Sequence, residues 1–363
     1  MPYLRSDMTS QTGSAYKAAL DAATAALAGS AGKRRNVNGD GRVNQLTSAV
    51  AISTAWQYVL DMWEAQAGAG VSGSFGQVAD AAFPAQLAIG TAALSTSGAT
   101  TVTLRTKIES RATADLLAPA FQYPVAAPAH PFAALSLVAY QDSGQPMSVT
   151  PVLRSADAPD DFAGMSHAIS GPTQSLPSGV LTQLWWDGAA GAFQLDTLAN
   201  VANGLCLEID IAVPAGLGGR SLRIGDVQLE GGQVATYFGR ANFADELLRC
   251  QRFYAKTFPL AVAPAQDAGT AGAWIAPQAV GAATPQQGNF WSFPTRMARA
   301  PVISFFNPAA ANAQARNLDT ASDCSGTAAD IVGERGAAFG TTTPAGSTAG
   351  ERLAVHMIAD ARL

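Results

Sequence analysis

From residue 102 to 213 the chain alternates apolar and polar positions in short runs. Val102, Leu104, Thr106 and Ile108 share one phase, and Leu135, Leu137 and Ala139 share another. The cleanest run is Leu205, Leu207, Ile209, Ile211 and Val213, with Cys206, Glu208, Asp210 and Ala212 in the opposite phase. A period of two predicts strands with one face buried. Pro119, Pro124, Pro128, Pro131, Gly144, Pro146, Gly171-Pro172 and Asp187-Gly188 punctuate these runs. Short strands with regular breaks predict a mainly β chain, with a jelly-roll-like antiparallel sandwich rather than a βαβ fold.

Leu222 and Ile224 continue the alternation, but after Gly225-Asp226 the apolar phase moves to Val227 and Leu229. One extra residue in a strand does this, so a β-bulge is expected at the glycine. Gly231-Gly232 permits a reversal. The spacing then becomes helical at Phe243, Leu247, Cys250 and Tyr254, with Asn242 as N-cap. Asp245 and Glu246 in the first turn, and Arg249, Arg252 and Lys256 towards the end, suit the helix dipole. A second helix is predicted over Tyr16 to Ala28, where Tyr16, Leu20, Ala23 and Leu27 form a heptad-like stripe. So short a helix is marginal alone. Packing on copies of itself or on a docking partner, and folding back on its own domain, both fit these residues.

The unit DVQLEGGQVATYFGR…ELLRCQRFY, from Asp226 to Tyr254, resembles a join found in many bacteriophage tail-fibre and receptor-binding proteins. There a sandwich ends in an "aQLE-G-vaTpFe" strand pair and leads through an "EL-CQRYY" helix to a distal domain. Gly239 stands where that family usually has Glu. Asn36 to Gln45 is similar, more loosely, to the family's "N-l-iNGdf-v-Q" opening strand, with Tyr58 to Trp63 in the place of "aDRWY". Gly41 replaces the usual aromatic after NGD, and Met62 replaces Arg. Phe290 to Phe306 resembles the strand pair that follows the helix, and Val355 to Leu363 the terminal "hw-aDAEL" strand, with Met357 for Trp and Arg362 for Glu. The resemblance implies an attachment or oligomerisation segment over 1–34 and a β-sandwich over 35–241. A connecting helix over 242–256 and a distal β-domain over 257–363 would follow. It also implies a homotrimer, for which Tyr16, Leu20 and Leu27 are the candidate contacts.

Only 13% of the 363 residues are charged and the net charge is -5. Nucleic acid is not expected as a partner, because phosphate binding needs clustered Lys and Arg. Lys33-Arg34-Arg35 reads as a solvated hinge. The start lacks the apolar region of a secretory leader, and no apolar run is long enough to span a bilayer, so membrane insertion is not expected. Cys206, Cys250 and Cys324 are odd in number and far apart, which predicts no disulfide framework and synthesis in a reducing cytoplasm, a bacterial one if the resemblance holds.

Asn36 to Asn44 imitates the start of a calcium loop, but Thr47 stands where the bidentate carboxylate belongs and Asp40 is the loop's one carboxylate. No metal or other cofactor is expected. His130, His167 and His356 belong to no nucleophile or metal motif, and His356, in the terminal strand, reads as packed or edge-exposed rather than as a base. Asp160-Asp161 reads as a loop, since neighbours on an extended chain point apart, and no catalytic residue is assigned. Sugar recognition needs aromatic faces beside directional polar groups. Trp185 and Trp186 would take opposite faces of a strand, one core and one outward; Trp186 and Trp274 are the platform candidates, and Trp291 reads as core. The expected function is that of a non-enzymatic virion fibre or spike protein, on a tail, a capsid or a phage-derived particle. It would adsorb to host surface polysaccharide, with other virion proteins as partners. The alternatives are a carbohydrate-binding module of a non-viral protein and a polysaccharide-degrading spike.

Overall fold

In the computed structural model, the described residues are 34–363 except 48, 115, 117–131 and 278–280. The candidate helix with Tyr16, Leu20 and Leu27, like His130, lies outside them. The alternating runs become two antiparallel sheets. In one, Leu87–Thr96, Arg220–Gly231, Phe132–Gln141 and Thr182–Trp186 lie side by side. In the other the order is Thr100–Ile108, Leu205–Val213, Met147–Ser155 and His167–Ser170. Successive strands, such as 87–96 with 100–108 and 205–213 with 220–231, cross between sheets, except that Met147–Ser155 and His167–Ser170 pair within the second sheet. That order is a jelly roll. Ser74–Ala79 extends the first sheet, and Trp63–Ala67 with Gln57–Leu60 extends the second.

The inward phase of both sheets forms one core cluster. Leu205, Leu207, Ile209 and Ile211 meet Leu135, Leu137, Ile224 and Leu229, all fully buried. The bulge lies where the phase shift predicts it: the register of Arg220–Gly231 against Phe132–Gln141 slips between Gly225 and Gln228. Asp226 takes the extra place in a left-handed conformation, with φ 49°.

A bulge frees backbone groups that must find partners, and the Asn36–Asp40 loop supplies them. Val227 N–H donates to Gly39 O at 2.9 Å. The Asn36 amide donates to Val227 O at 2.8 Å and accepts from Leu229 N–H at 3.0 Å, as a paired strand would. Gly39 is required by contact: a Cβ there would lie 2.0 Å from Val227 O. Asn38 ties the loop inward through Val43, and the Trp63 indole donates to its carbonyl.

The helix Phe243–Gln251 closes this joint. Asn242 caps it by accepting from Ala244 N–H at 2.8 Å. Glu246, fully buried, accepts from the Asn38 N–H and from the Arg34 guanidinium. Cys250 and Phe253 pack on Val43 and Met62. Two expectations are corrected here. The helix ends before Tyr254, which begins a strand, Tyr254–Lys256, because the chain must straighten to join the next sheet. Arg34 is not a solvated hinge residue: its side chain is only 6% exposed, since it neutralises Glu246.

On the far side of the helix, Arg352–Asp360 pairs with Tyr254–Lys256, Trp274–Pro277, Val302–Phe306 and Arg316–Asn317. A separate three-stranded sheet has the order Pro285–Ser292, Gly336–Thr342, Ser325–Gly333. The strand pair that the resemblance implies over Phe290 to Phe306 is not one ladder: Pro285–Ser292 and Val302–Phe306 belong to different sheets. Each satisfies its ladder against a strand later in the chain. Leu353, Val355, Met357 and Ala359 bury one face of the terminal strand in a second core with Trp291 and Phe339. Among the described residues no helix is long and apolar enough to cross a membrane.

Side chains bind these parts together. Gln45 donates to Asp61 and to Tyr254 O, and the Lys256 ammonium donates to the carbonyls of Gln45, Leu260 and Val262. Burial pushes the Asp61 carboxyl up to about 6 and the Lys256 ammonium down to about 8. Asn38, Gln45, Asp61, Glu246 and Lys256, distant in sequence, therefore converge on one joint.

Candidate functional site

The outward phase of the second sheet is polar and orderly. Glu208 and Asp210 project from Leu205–Val213, and their register partners on Thr100–Ile108 are Arg105 and Thr103. Trp63–Ala67 adds Glu64 opposite Arg105 and Gln66 opposite Thr103. Met147–Ser155 adds Arg154 opposite Cys206. Because side chains repeat at every second residue, four strands lay these groups out as a grid.

Ion pairs and hydrogen bonds fix the grid. Arg105 Nε donates to Glu64 at 2.6 Å, Arg154 Nε to Glu208 at 2.7 Å, and Thr103 Oγ1 to Asp210 at 2.6 Å. The guanidinium of Arg105 lies 3.7 Å from the Trp56 ring centre. Trp56 comes from the loop before Gln57–Leu60, is half-buried, and stands as a wall over the sheet. Together with Gln66 and Met165 these residues line an open cleft of about 460 Å3. Burial pushes the Cys206 thiol on the same face up to about 12, so it supplies no nucleophile.

The cleft thus offers a Trp56–Arg105 stack, amide and hydroxyl groups, and charged groups held in place by partners. Among the described residues these two guanidiniums donate to their carboxylate partners through Nε, and a guanidinium carries further donors on its Nη atoms. Such a surface can exchange directional hydrogen bonds with hydroxyl groups.

The residues selected from sequence lie elsewhere. Trp186 is fully buried and its indole donates to Pro172 O at 2.7 Å, so it is core and no platform. Its phase is set by Leu184 and by its register partner Leu135, both inward. Trp185 is the outward one: it meets Tyr237 edge-to-face at 5.3 Å, and Tyr237 is 83% exposed. Gln183, in phase with Trp185, was the sequence signal for that orientation. Trp274 is half-buried and packs edge-on against Phe339 at 5.0 Å, as part of the second core. Trp291 is core, as read. Trp56, Arg105, Arg154 and Glu208 were not selected from sequence. The one trace of them was the charged phase of Leu205–Val213.

The loop that imitates a calcium site uses its oxygens internally. Asn36 Oδ1 accepts from Leu229, Asn38 Oδ1 from Val43, and Asp40 from Arg42. Asp160 accepts from Ser110 N–H and Oγ, tying a loop to the sandwich, while Asp161 caps its own turn at Ala163. His356 is fully buried, stacks on Phe258 at 4.0 Å, and lies 2.9 Å from Gly269 O.

No protein-family model and no curated protein matches the chain. Among solved structures, a carbohydrate-binding module of the β-sandwich superfamily is 11% identical over 50% of this chain and 63% of its own, with a TM-score of 0.32. A family 22 carbohydrate-binding module from Clostridium thermocellum is 11% identical over 55% of this chain and 98% of its own, also at 0.32. The enzymatically active domain of bacteriophage CBA120 tailspike protein 4 is 12% identical over 55% of this chain and 21% of its own, at 0.29. The jelly-roll assignment rests on strand order and register, which stand without these similarities.

Proposed function

We propose that this chain is a virion fibre or spike protein that adsorbs to host cells by binding surface polysaccharide. The observation that carries the reading is the cleft walled by Trp56 over the Arg105, Arg154, Glu208 and Asp210 grid. A pyranose packs against the edge of the Trp56–Arg105 stack while its hydroxyls exchange hydrogen bonds with the grid. The convergence of Asn38, Asp61 and Glu246, each from a fibre-like motif, on one joint favours a virion protein over a non-viral carbohydrate-binding module. In that role residues 1–34 attach the protein to a tail or capsid, and Tyr16, Leu20 and Leu27 contribute to a homotrimer at the particle surface.

The protein acts as a binder rather than a glycosidase. Glu64, Glu208 and Asp210 are each engaged by a protein donor, whereas cleavage needs one carboxyl free to protonate the leaving oxygen. A reducing-sugar assay on host capsule that detected release would overturn this part.

The deciding experiment measures labelled protein on intact candidate host cells, with and without their surface polysaccharide. Saturable binding that vanishes with the polysaccharide is expected, and Trp56→Ala should weaken it about tenfold, equivalent to about 1.4 kcal/mol. Absence of binding by folded, oligomeric protein would refute adsorption and leave a structural connector.

A further inference from the structure

Charge on the outward face of the second sheet is unevenly answered. Arg105 and Lys107 both pair with Glu64, at 2.6 and 3.3 Å, and Arg154 pairs with Glu208 at 2.7 Å. Asp210 lies two residues beyond Glu208 in the same outward phase, yet among the described residues it joins no ion pair. Register gives the reason: its partners across the two ladders are Thr103 and Thr150, both uncharged. Arg154 is near enough to sense the Asp210 charge, but its contact is with Glu208, so one guanidinium serves two carboxylates.

The Asp210 carboxylate is also only partly used. Thr103 Oγ1 donates to its Oδ1 at 2.6 Å, while Oδ2 accepts from no described group. Asp210 is half-buried and lines the Trp56 cleft, and its Oδ2 is not enclosed by protein. A carboxylate offers about four lone-pair sites, so most of its acceptor capacity is left for what enters the cleft. The charges of Arg105 and Arg154 are answered by Glu64 and Glu208. The charge of Asp210 is the one left over, at a place a ligand can reach.

We infer that Asp210 sets the charge specificity of this cleft, which takes a saccharide bearing a free, protonated amine in preference to one bearing carboxylate, sulfate or phosphate. The inference rests on the cleft reading given above and adds the ligand's charge to it. The sugar ammonium donates to Asp210 Oδ2 and completes the ion pair that the fold leaves out; such charge-assisted bonds are stronger than those of a neutral hydroxyl. Hydroxyls of the same chain accept from the Nη groups of Arg154, whose side chain is 37% exposed. An anionic sugar would instead bring a second negative charge to Asp210, where the one nearby guanidinium is already shared.

The test titrates oligomers of glucosamine, N-acetylglucosamine and galacturonate, matched in length, into the full chain by calorimetry. Low salt and a mildly acidic buffer keep the amine protonated and the contact unscreened. Wild type should bind the glucosamine oligomer about fivefold more tightly than the acetylated one, the upper range for an ion pair open to water, and the galacturonate oligomer least tightly. Asp210→Asn keeps the shape of the side chain and its acceptor for Thr103. It should erase the amine preference and leave affinity for the acetylated oligomer unchanged. Asp330→Asn removes the same charge from an exposed position on the separate three-stranded sheet and should alter nothing, which tells a local contact from net charge. Persistence of the preference in Asp210→Asn, its equal loss in Asp330→Asn, or wild-type binding of galacturonate as tight as that of glucosamine would each overturn the inference. So would absence of binding by the glucosamine oligomer. Failure of the cleft reading shows separately, as cell binding that Trp56→Ala leaves unchanged.

Discussion

Removing the Glu246 carboxylate should cost more than any exposed ion pair could, because both partners are out of water. Glu246 is fully buried and the Arg34 side chain is 6% exposed. Glu246→Ala leaves the guanidinium buried without its counter-charge, which costs about 3–5 kcal/mol. It also orphans the Asn38 N–H, fully buried, for about a further 1–3 kcal/mol. The expected loss is therefore about 4–8 kcal/mol, comparable with the whole stability of many domains. Arg34→Met should cost less, since Glu246 keeps the Asn38 bond. The double variant Arg34→Met with Glu246→Leu restores neutrality and should lose only the Asn38 term. Urea unfolding followed by tryptophan fluorescence reads all four proteins, with Trp63, itself bonded to Asn38 O, reporting on the joint. Strong non-additivity is required. If Glu246→Ala lost less than about 1 kcal/mol, or if the double variant lost the sum of the singles, the joint would not depend on this pair.

Gly39→Ala should destabilise by about 3 kcal/mol, the cost of overpacking against backbone that cannot yield, and differential scanning calorimetry of the purified variant measures it. Asp61 should titrate near pH 6 by carboxyl-carbon NMR, well above its ordinary 3.8. The native state then binds a proton the unfolded chain does not, so this residue adds stability as pH falls from about 6 towards 4; a midpoint below 4 would refute its desolvation. Lys256 acts in the opposite sense: its ammonium is depressed to about 8 from 10.5, so its contribution grows as pH rises through that window. Trp186→Ala should lose about 3–5 kcal/mol as a core truncation, and polysaccharide binding measured below its melting transition should be unchanged.

The sequence by itself determined whatever depends on neighbours along the chain. Period two in Leu205–Val213 marked a strand with one face buried, the phase shift at Gly225 marked the bulge, and Asn242 marked the start of the helix. These are local because backbone geometry fixes which side chains share a face. It also placed motifs at Asn36–Gln45 and at Asp226–Tyr254 without showing that they touch. Only the tertiary structure decided that Gly39 and Asn36 satisfy the groups freed at the bulge, and that Glu246 locks both. It likewise decided that Trp186 faces the core and Trp185 the solvent, since the choice between adjacent residues rests on which face the partner strand buries. The cleft was the least legible. Glu64, Arg105, Arg154 and Glu208 are scattered over some hundred and forty positions and become neighbours only through the register of four antiparallel strands. Hydrophobic pattern selects the face of each strand, but pairing across sheets is set by burying all the inward faces together.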